Sequence, residues 1–182
     1  MEYSATGFRK LKAFAERYGF LLLSLGLLCF AFSLLPDYGL GYDSPKNFRE
    51  GTINLNYFLR GYLLPREQIV LTYQIHGAFF FMAADLAKRV LSDYLGWFDP
   101  VAARHAILPL LVFGFANLLY AFLKKHAGTA MAWLTVLILL SFPSFFGHAF
   151  HNIKDIPLFI FFSLTILCFY EWWVSSCLKK RY

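Results

Sequence analysis

Apolar and polar residues segregate along this chain into long blocks. Gly19 to Pro36 carries no charge, and His105 to Leu123 has only its leading histidine and Asn117 as strongly polar groups. Ala130 to Phe146 is interrupted only by Thr135, Ser141 and Ser144, and Ile156 to Val174 holds one acid, Glu171, beside Trp172 and Trp173. A helix needs roughly 20 apolar residues to cross a bilayer core, and aromatic pairs mark the interface. The pattern predicts an all-α integral membrane protein, a single transmembrane domain over residues 1–182 with four spans at about 19–36, 105–123, 130–146 and 156–174.

Two further segments have helical rather than spanning patterns. Phe8, Leu11, Phe14, Ala15 and Tyr18 recur at helical spacing opposite Arg9, Lys10, Lys12 and Arg17, which predicts a short helix lying on the membrane surface. In 69–95, Leu71, Ile75, Phe79, Met82 and Leu86 form a stripe at steps of three and four, while Gln74, His76, Asp85, Lys88 and Arg89 interrupt it. That segment is expected to be an amphipathic helix resting on the outer surface within a long first outer loop, 37–104. Charge decides against a fifth span. With four spans and a cytoplasmic N-terminus, the basic clusters at Arg9–Arg17, Lys124–Lys125 and Lys179–Arg181 all fall inside, as the positive-inside bias requires.

Composition agrees with this class. Hydrophobic residues make up 59% of the chain and aromatic residues 20%, with a mean hydropathy of +0.53, too apolar for a soluble domain of this length. The net charge of +6 sits at the ends of the apolar blocks, so it reports topology and does not call for nucleic acid. Cys29, Cys168 and Cys177 lie in or beside apolar runs with no CxxC spacing, and are read as small buried hydrophobes.

The chemistry is concentrated between the third and fourth blocks. The segment 142–157, FPSFFGHAFHNIKDIP, packs His148, His151, Asn152, Lys154 and Asp155 into eight positions of a short turn. One reading is structural: Asp155 before Ile156–Pro157 suits an N-cap, and Lys154 sits among headgroups. The other is a site facing one side of the membrane. The four-span topology puts Asp37 and Asp43 on that same outer face, so the first outer loop and this turn can build one site together. His148 and His151 at i, i+3 offer only two metal ligands, which is not a metal site by itself. No cofactor is expected, with a divalent metal as the alternative.

A first span followed closely by an acid, a long outer loop, Arg104–His105 opening a span and a short acidic turn together resemble the N-terminal part of the GT-C polyprenyl-phosphate-dependent glycosyltransferases. The bacterial enzymes similar to protein O-mannosyltransferases and the lipid A aminoarabinose transferase look nearest. FGHAFHNIKDIP resembles that group's FGH-x-x-x-NPKDIP stretch with Ile153 in place of proline, and Tyr42–Asp43–Ser44 resembles its Asp-Glu pair with Ser44 in place of glutamate. The resemblance implies transfer of a sugar from a polyprenyl-phosphate donor to an acceptor of unassigned identity on the outer face of a bacterial cytoplasmic membrane, with both termini cytoplasmic. It casts Asp43 as general base or acceptor-orienting group and Asp155 as the second-loop acid. Lys154 would neutralise the lipid phosphate, with His148, His151 and Asn152 lining the substrate site. Family members carry at least seven spans, so the missing half or a partner subunit is expected to complete the groove.

Two other classes remain on the sequence. A non-catalytic membrane subunit or scaffold fits the short length. A transporter component would place ionisable groups inside its spans, where only Glu171 qualifies.

Overall fold

The computed structural model of the chain describes residues 2–62 and 78–179, and it is helical, with no strand among the described residues. The elements are α1 (Glu2–Leu34), a short turn of helix at Leu35–Asp37, α2 (Ser44–Arg60), α3 (Phe79–Lys88), α4 (Pro100–His105), α5 (Ile107–Ala127), α6 (Thr129–Ser141), α7 (Pro143–His148) and α8 (Asp155–Lys179). Among the described residues, three stretches are long and apolar enough to cross a membrane: Tyr18–Asp37, Pro100–Ala127 and Asp155–Ser176. They mark the chain as a membrane protein.

Side-chain contacts fix how these helices run. Phe20 stacks on Tyr120 at 4.0 Å, the Asn117 amide donates to Ser24 Oγ at 3.1 Å, and Leu35 packs with Ala102 and Ala106. Thus α1 runs antiparallel to α4–α5. Gly128, at φ 87°, turns the chain between α5 and α6, a left-handed conformation that a side chain would strain. Ala132 and Val136 of α6 then pack against Phe20, Ala116 and Tyr120. Phe115 meets Phe159 at 5.8 Å and Lys125 meets Glu171 at 2.7 Å, so α8 runs parallel to α5. One end of the bundle therefore carries Leu35, His105 and Asp155, and the other carries Lys125 and Glu171.

Several boundaries differ from the sequence pattern. The expected flat N-terminal surface helix is not a separate element: α1 is one continuous helix of 33 residues, because nothing in the sequence breaks it before Pro36. At 1.5 Å per residue it reaches about 50 Å, longer than a bilayer core. The block 130–146 is split. α6 has 13 residues and ends at Ser141; the next residue, Phe142, has an extended ψ of 117°, as expected of a residue preceding proline (Pro143). The span expected at 105–123 begins earlier and ends later, over Pro100–Ala127, since Asp99 accepts from the Val101 and Ala102 amides and caps α4.

Of the helix expected at 69–95, residues 69–77 lie outside the described residues. The described part is α3, which continues as a π-helical stretch, Arg89–Tyr94, where the Leu95 amide reaches the Val90 carbonyl at 2.9 Å. Its packed face is not the predicted stripe. Phe79 and Leu86 are exposed, and Phe81, Ala84 and Asp85 are the buried positions. The reason is the neighbour: α3 lies against α2, and a Cβ added at Gly51 would overlap the Phe81 carbonyl. That approach is open only to glycine, and it turns the Phe81–Asp85 side inward.

Candidate functional site

The chain between α1 and α2 and the chain leading into α8 meet in a polar cleft of about 170 Å³. Gly41, Tyr42, Asp43, Ser44 and Asn47 form one wall; His151, Asn152, Ile153, Lys154 and Asp155 form the other. The two walls touch at Gly41, where a Cβ would lie 3.5 Å from His151 Cδ2. Asp43 and Asp155, separated by more than a hundred residues of sequence, thus face one space, with Lys154 on its rim.

Local chemistry assigns these residues unequal freedom. Asp43 occupies the N-cap position of α2 but makes no side-chain capping bond, and it is exposed. Ser44 is buried, and its hydroxyl accepts the Gly41 amide at 3.0 Å, so it closes the turn and does not point into the cleft as a second acid would. Asn152, counted among the substrate-binding residues from sequence, is otherwise engaged. Its Oδ1 accepts the Lys154 and Asp155 amides at 3.2 and 2.9 Å, which makes it the cap of α8. This displaces Asp155 from the N-cap role that its place before Ile156–Pro157 suggested.

The same two bonds fix the orientation of the Asn152 amide. Nδ2 then donates to Asp155 Oδ2 at 2.9 Å and lies 3.3 Å from His148 Nδ1, which must accept and leaves the His148 proton on Nε2. An amide has two donor hydrogens and one acceptor oxygen, and all are used. Asn152 holds Asp155 in place and has no capacity left for a ligand. His148 is exposed and lies outside the cleft lining, 5.4 Å from His151 between ring centroids. Among the described residues no group of three His, Cys, Asp or Glu side chains is placed to hold a metal.

Next to the cleft is an apolar cavity of about 270 Å³ between α1, α5, α6 and α7, walled by residues such as Leu28, Val112, Leu140, Phe146, Ala149 and Phe150. Among the described residues that line it, Ser24 and Ser141 carry the only hydroxyls. The two spaces adjoin along the chain, because Phe150 lines the cavity and His151 lines the cleft. Tyr38 stacks on Phe150 at 4.5 Å and lies 6.3 Å from the His151 ring, so it stands beside the point where the two spaces adjoin.

The sequence reading missed a buried ionic node. Asp85, 2% exposed, accepts from the Thr52 hydroxyl at 2.7 Å, Arg89 Nε at 3.1 Å and Arg104 Nη2 at 2.9 Å. Arg89 also donates to Asn56 at 2.6 Å, and Arg104 lies over the Phe48 ring at 4.8 Å. Adjacent His105 is fully buried, 5.6 Å from the Phe48 ring, and has no hydrogen bond at either ring nitrogen among the described residues. From sequence, Asp85 and Arg89 looked like charges ending an apolar run. Their i, i+4 spacing was the available signal of a pair. At the far end of the bundle, Glu171 accepts from Lys125 at 2.7 Å and sits 2.7 Å from His126 Nε2, tying α8 to α5.

Comparison with known proteins returns no match: no family model, no curated protein and no solved structure aligns significantly with this chain.

Proposed function

We propose that the chain is a membrane glycosyltransferase component of the GT-C type, whose cleft receives the phosphate–sugar head of a polyprenyl-phosphate donor and whose apolar cavity receives its tail. The observation that carries this reading is the adjacency of the two spaces, one polar and one apolar, along Phe150–His151. An amphiphile with a charged head and a hydrocarbon tail fits that pair better than a wholly polar or wholly apolar ligand. Lys154 favours an anion there, and the partial positive charge of the α8 N-terminus adds to it, although its first amides are already taken by Asn152. Asp43, exposed and free of capping duty, is placed to take a proton.

The step is a substitution at the anomeric carbon. An acceptor hydroxyl oxygen forms the new bond, its proton passes to the Asp43 carboxylate, and the sugar–phosphate C–O bond breaks with its electron pair leaving on the phosphate. Lys154 offsets the charge that develops on that leaving group. Asp155, held by Asn152, faces the same space and orients acceptor or sugar hydroxyls. The reading places both cleft walls on the outer face, with α1, α4–α5, α6–α7 and α8 as four crossings and the Lys124–Lys125 end in the cytoplasm. The alternation of helix directions supports this, as does the positive-inside bias.

Binding and transfer separate the roles. With a sugar-loaded polyprenyl phosphate in nanodiscs, Lys154→Ala is expected to weaken binding by about 1 kcal/mol, roughly fivefold. Asp43→Asn should leave binding nearly intact and abolish transfer by the chain together with whatever completes the enzyme. Unchanged transfer in Asp43→Asn would overturn the catalytic assignment and favour a scaffold. Topology has its own test: an impermeant thiol reagent on intact cells should label Asn152→Cys and spare Gly128→Cys, and the reverse pattern removes the four-crossing arrangement.

A further inference from the structure

The cleft's two walls are carried by different parts of the fold. The Lys154–Asp155 wall belongs to α8, which packs on the membrane helix α5. The Asp43 wall is the start of α2, whose principal packing partner is α3; α3 packs in turn on α4, and α4 leads into α5. Besides the approach at Gly41 and the core that Phe48 shares with Ile153 and Ile156, the position of Asp43 relative to Asp155 is relayed through α3 and α4. Asp85 stands where all three elements meet, bonded to Thr52 of α2 and Arg104 of α4 from within α3. Arg104 passes the constraint back to α2 a second time, through the Phe48 ring, only one turn from Ser44.

We propose that Asp85 is a positioning residue that sets the width of the cleft: its carboxylate fixes α2, and with it Asp43, against the wall carried by α8. A buried carboxylate with three donors from three elements is costly to rearrange, because each partner would be left desolvated and unpaired. A plain hydrophobic contact would hold the same helices with less directional restraint. Loss of Asp85 should therefore loosen one wall and leave the membrane helices where they are. The consequence for sugar transfer rests on the function proposed above, but the displacement of the wall does not.

The test is a distance measurement between spin labels in nanodiscs without added lipid ligand, in a background with Cys29, Cys168 and Cys177 replaced by alanine. Labels at Lys46→Cys and Lys154→Cys report on the cleft; labels at Met131→Cys and Leu158→Cys report on α6 against α8. Asp85→Asn, which leaves two arginines around a neutral amide, is expected to broaden the first distribution about twofold and leave the second unchanged. Asp85→Glu should recover most of the width, and Thr52→Val, which removes one donor only, should give an intermediate effect and serves if Asp85→Asn fails to fold. An unchanged Lys46–Lys154 distribution in Asp85→Asn and Thr52→Val overturns the proposal. Equal broadening of both pairs overturns it too, since Asp85 would then hold the whole fold. Because no ligand is present, these outcomes stand apart from success or failure of the glycosyltransferase reading.

Discussion

Asp85 and Asp43 lie against or at the start of the same helix, α2, and share a side-chain chemistry, yet their surroundings are opposite. Asp85 is 2% exposed and satisfied by a hydroxyl and two guanidinium groups, whereas Asp43 is exposed and lacks even the capping bond its position offers. A carboxylate saturated by fixed donors gives rigidity and has little left for a ligand. A carboxylate held at a helix start without donors costs the fold nothing and keeps its lone pairs available. The contrast separates the acid that builds the site from the acid that can act in it.

The comparison breaks most visibly at Asp85. Asp85→Ala strands Arg89 and Arg104 and should destabilise the protein by about 3–5 kcal/mol, read from unfolding in detergent, whereas a loss below about 1 kcal/mol would mean that water replaces the carboxylate. Gly51→Ala tests the same helix pair without touching charge. Its Cβ would overlap the Phe81 carbonyl, and forcing α2 and α3 apart should cost about 1–3 kcal/mol. Asn152 lies between the two extremes. Asn152→Ala removes the cap of α8 for about 1 kcal/mol, and Asn152→Ser should recover most of that stability without restoring the bond to Asp155. Asp43→Ala should be the smallest, within about 0.5 kcal/mol in the same assay, even where it abolishes function. A large loss at Asp43 would erase the distinction.

Much of this was legible from spacing. The long apolar blocks foretold the helices at Tyr18–Asp37, Pro100–Ala127 and Asp155–Ser176, because length and uniform hydropathy are properties of the chain itself. The break at Phe142 and the cap at Asp99 have local causes in proline and aspartate chemistry, but the apolar blocks alone did not show them, and the expected spans ran through 130–146 and began only at His105. The sequence reading put Asp43 and Asp155 on one face of the membrane, and in the fold both line one cleft, which only their packing could decide. What spacing misjudged was α3, where the stripe of Phe79, Met82 and Leu86 has the helical period but not the partner. In a membrane protein an apolar face has lipid as an alternative to protein, so periodicity no longer says which face is packed.

Sequence alone therefore determined the helical class, the apolar segments and the concentration of polar residues at 148–155, since each depends on residue type and local order. Only the tertiary structure decided that Asn152 caps and clamps rather than binds, that Ser44 closes a turn, and that Asp85 joins three elements. These assignments depend on which donors reach a given acceptor across the fold. Hydrogen bonds and ion pairs act over a few ångströms between groups that can lie dozens of residues apart, as Thr52 and Arg104 do around Asp85, and no local pattern encodes that proximity.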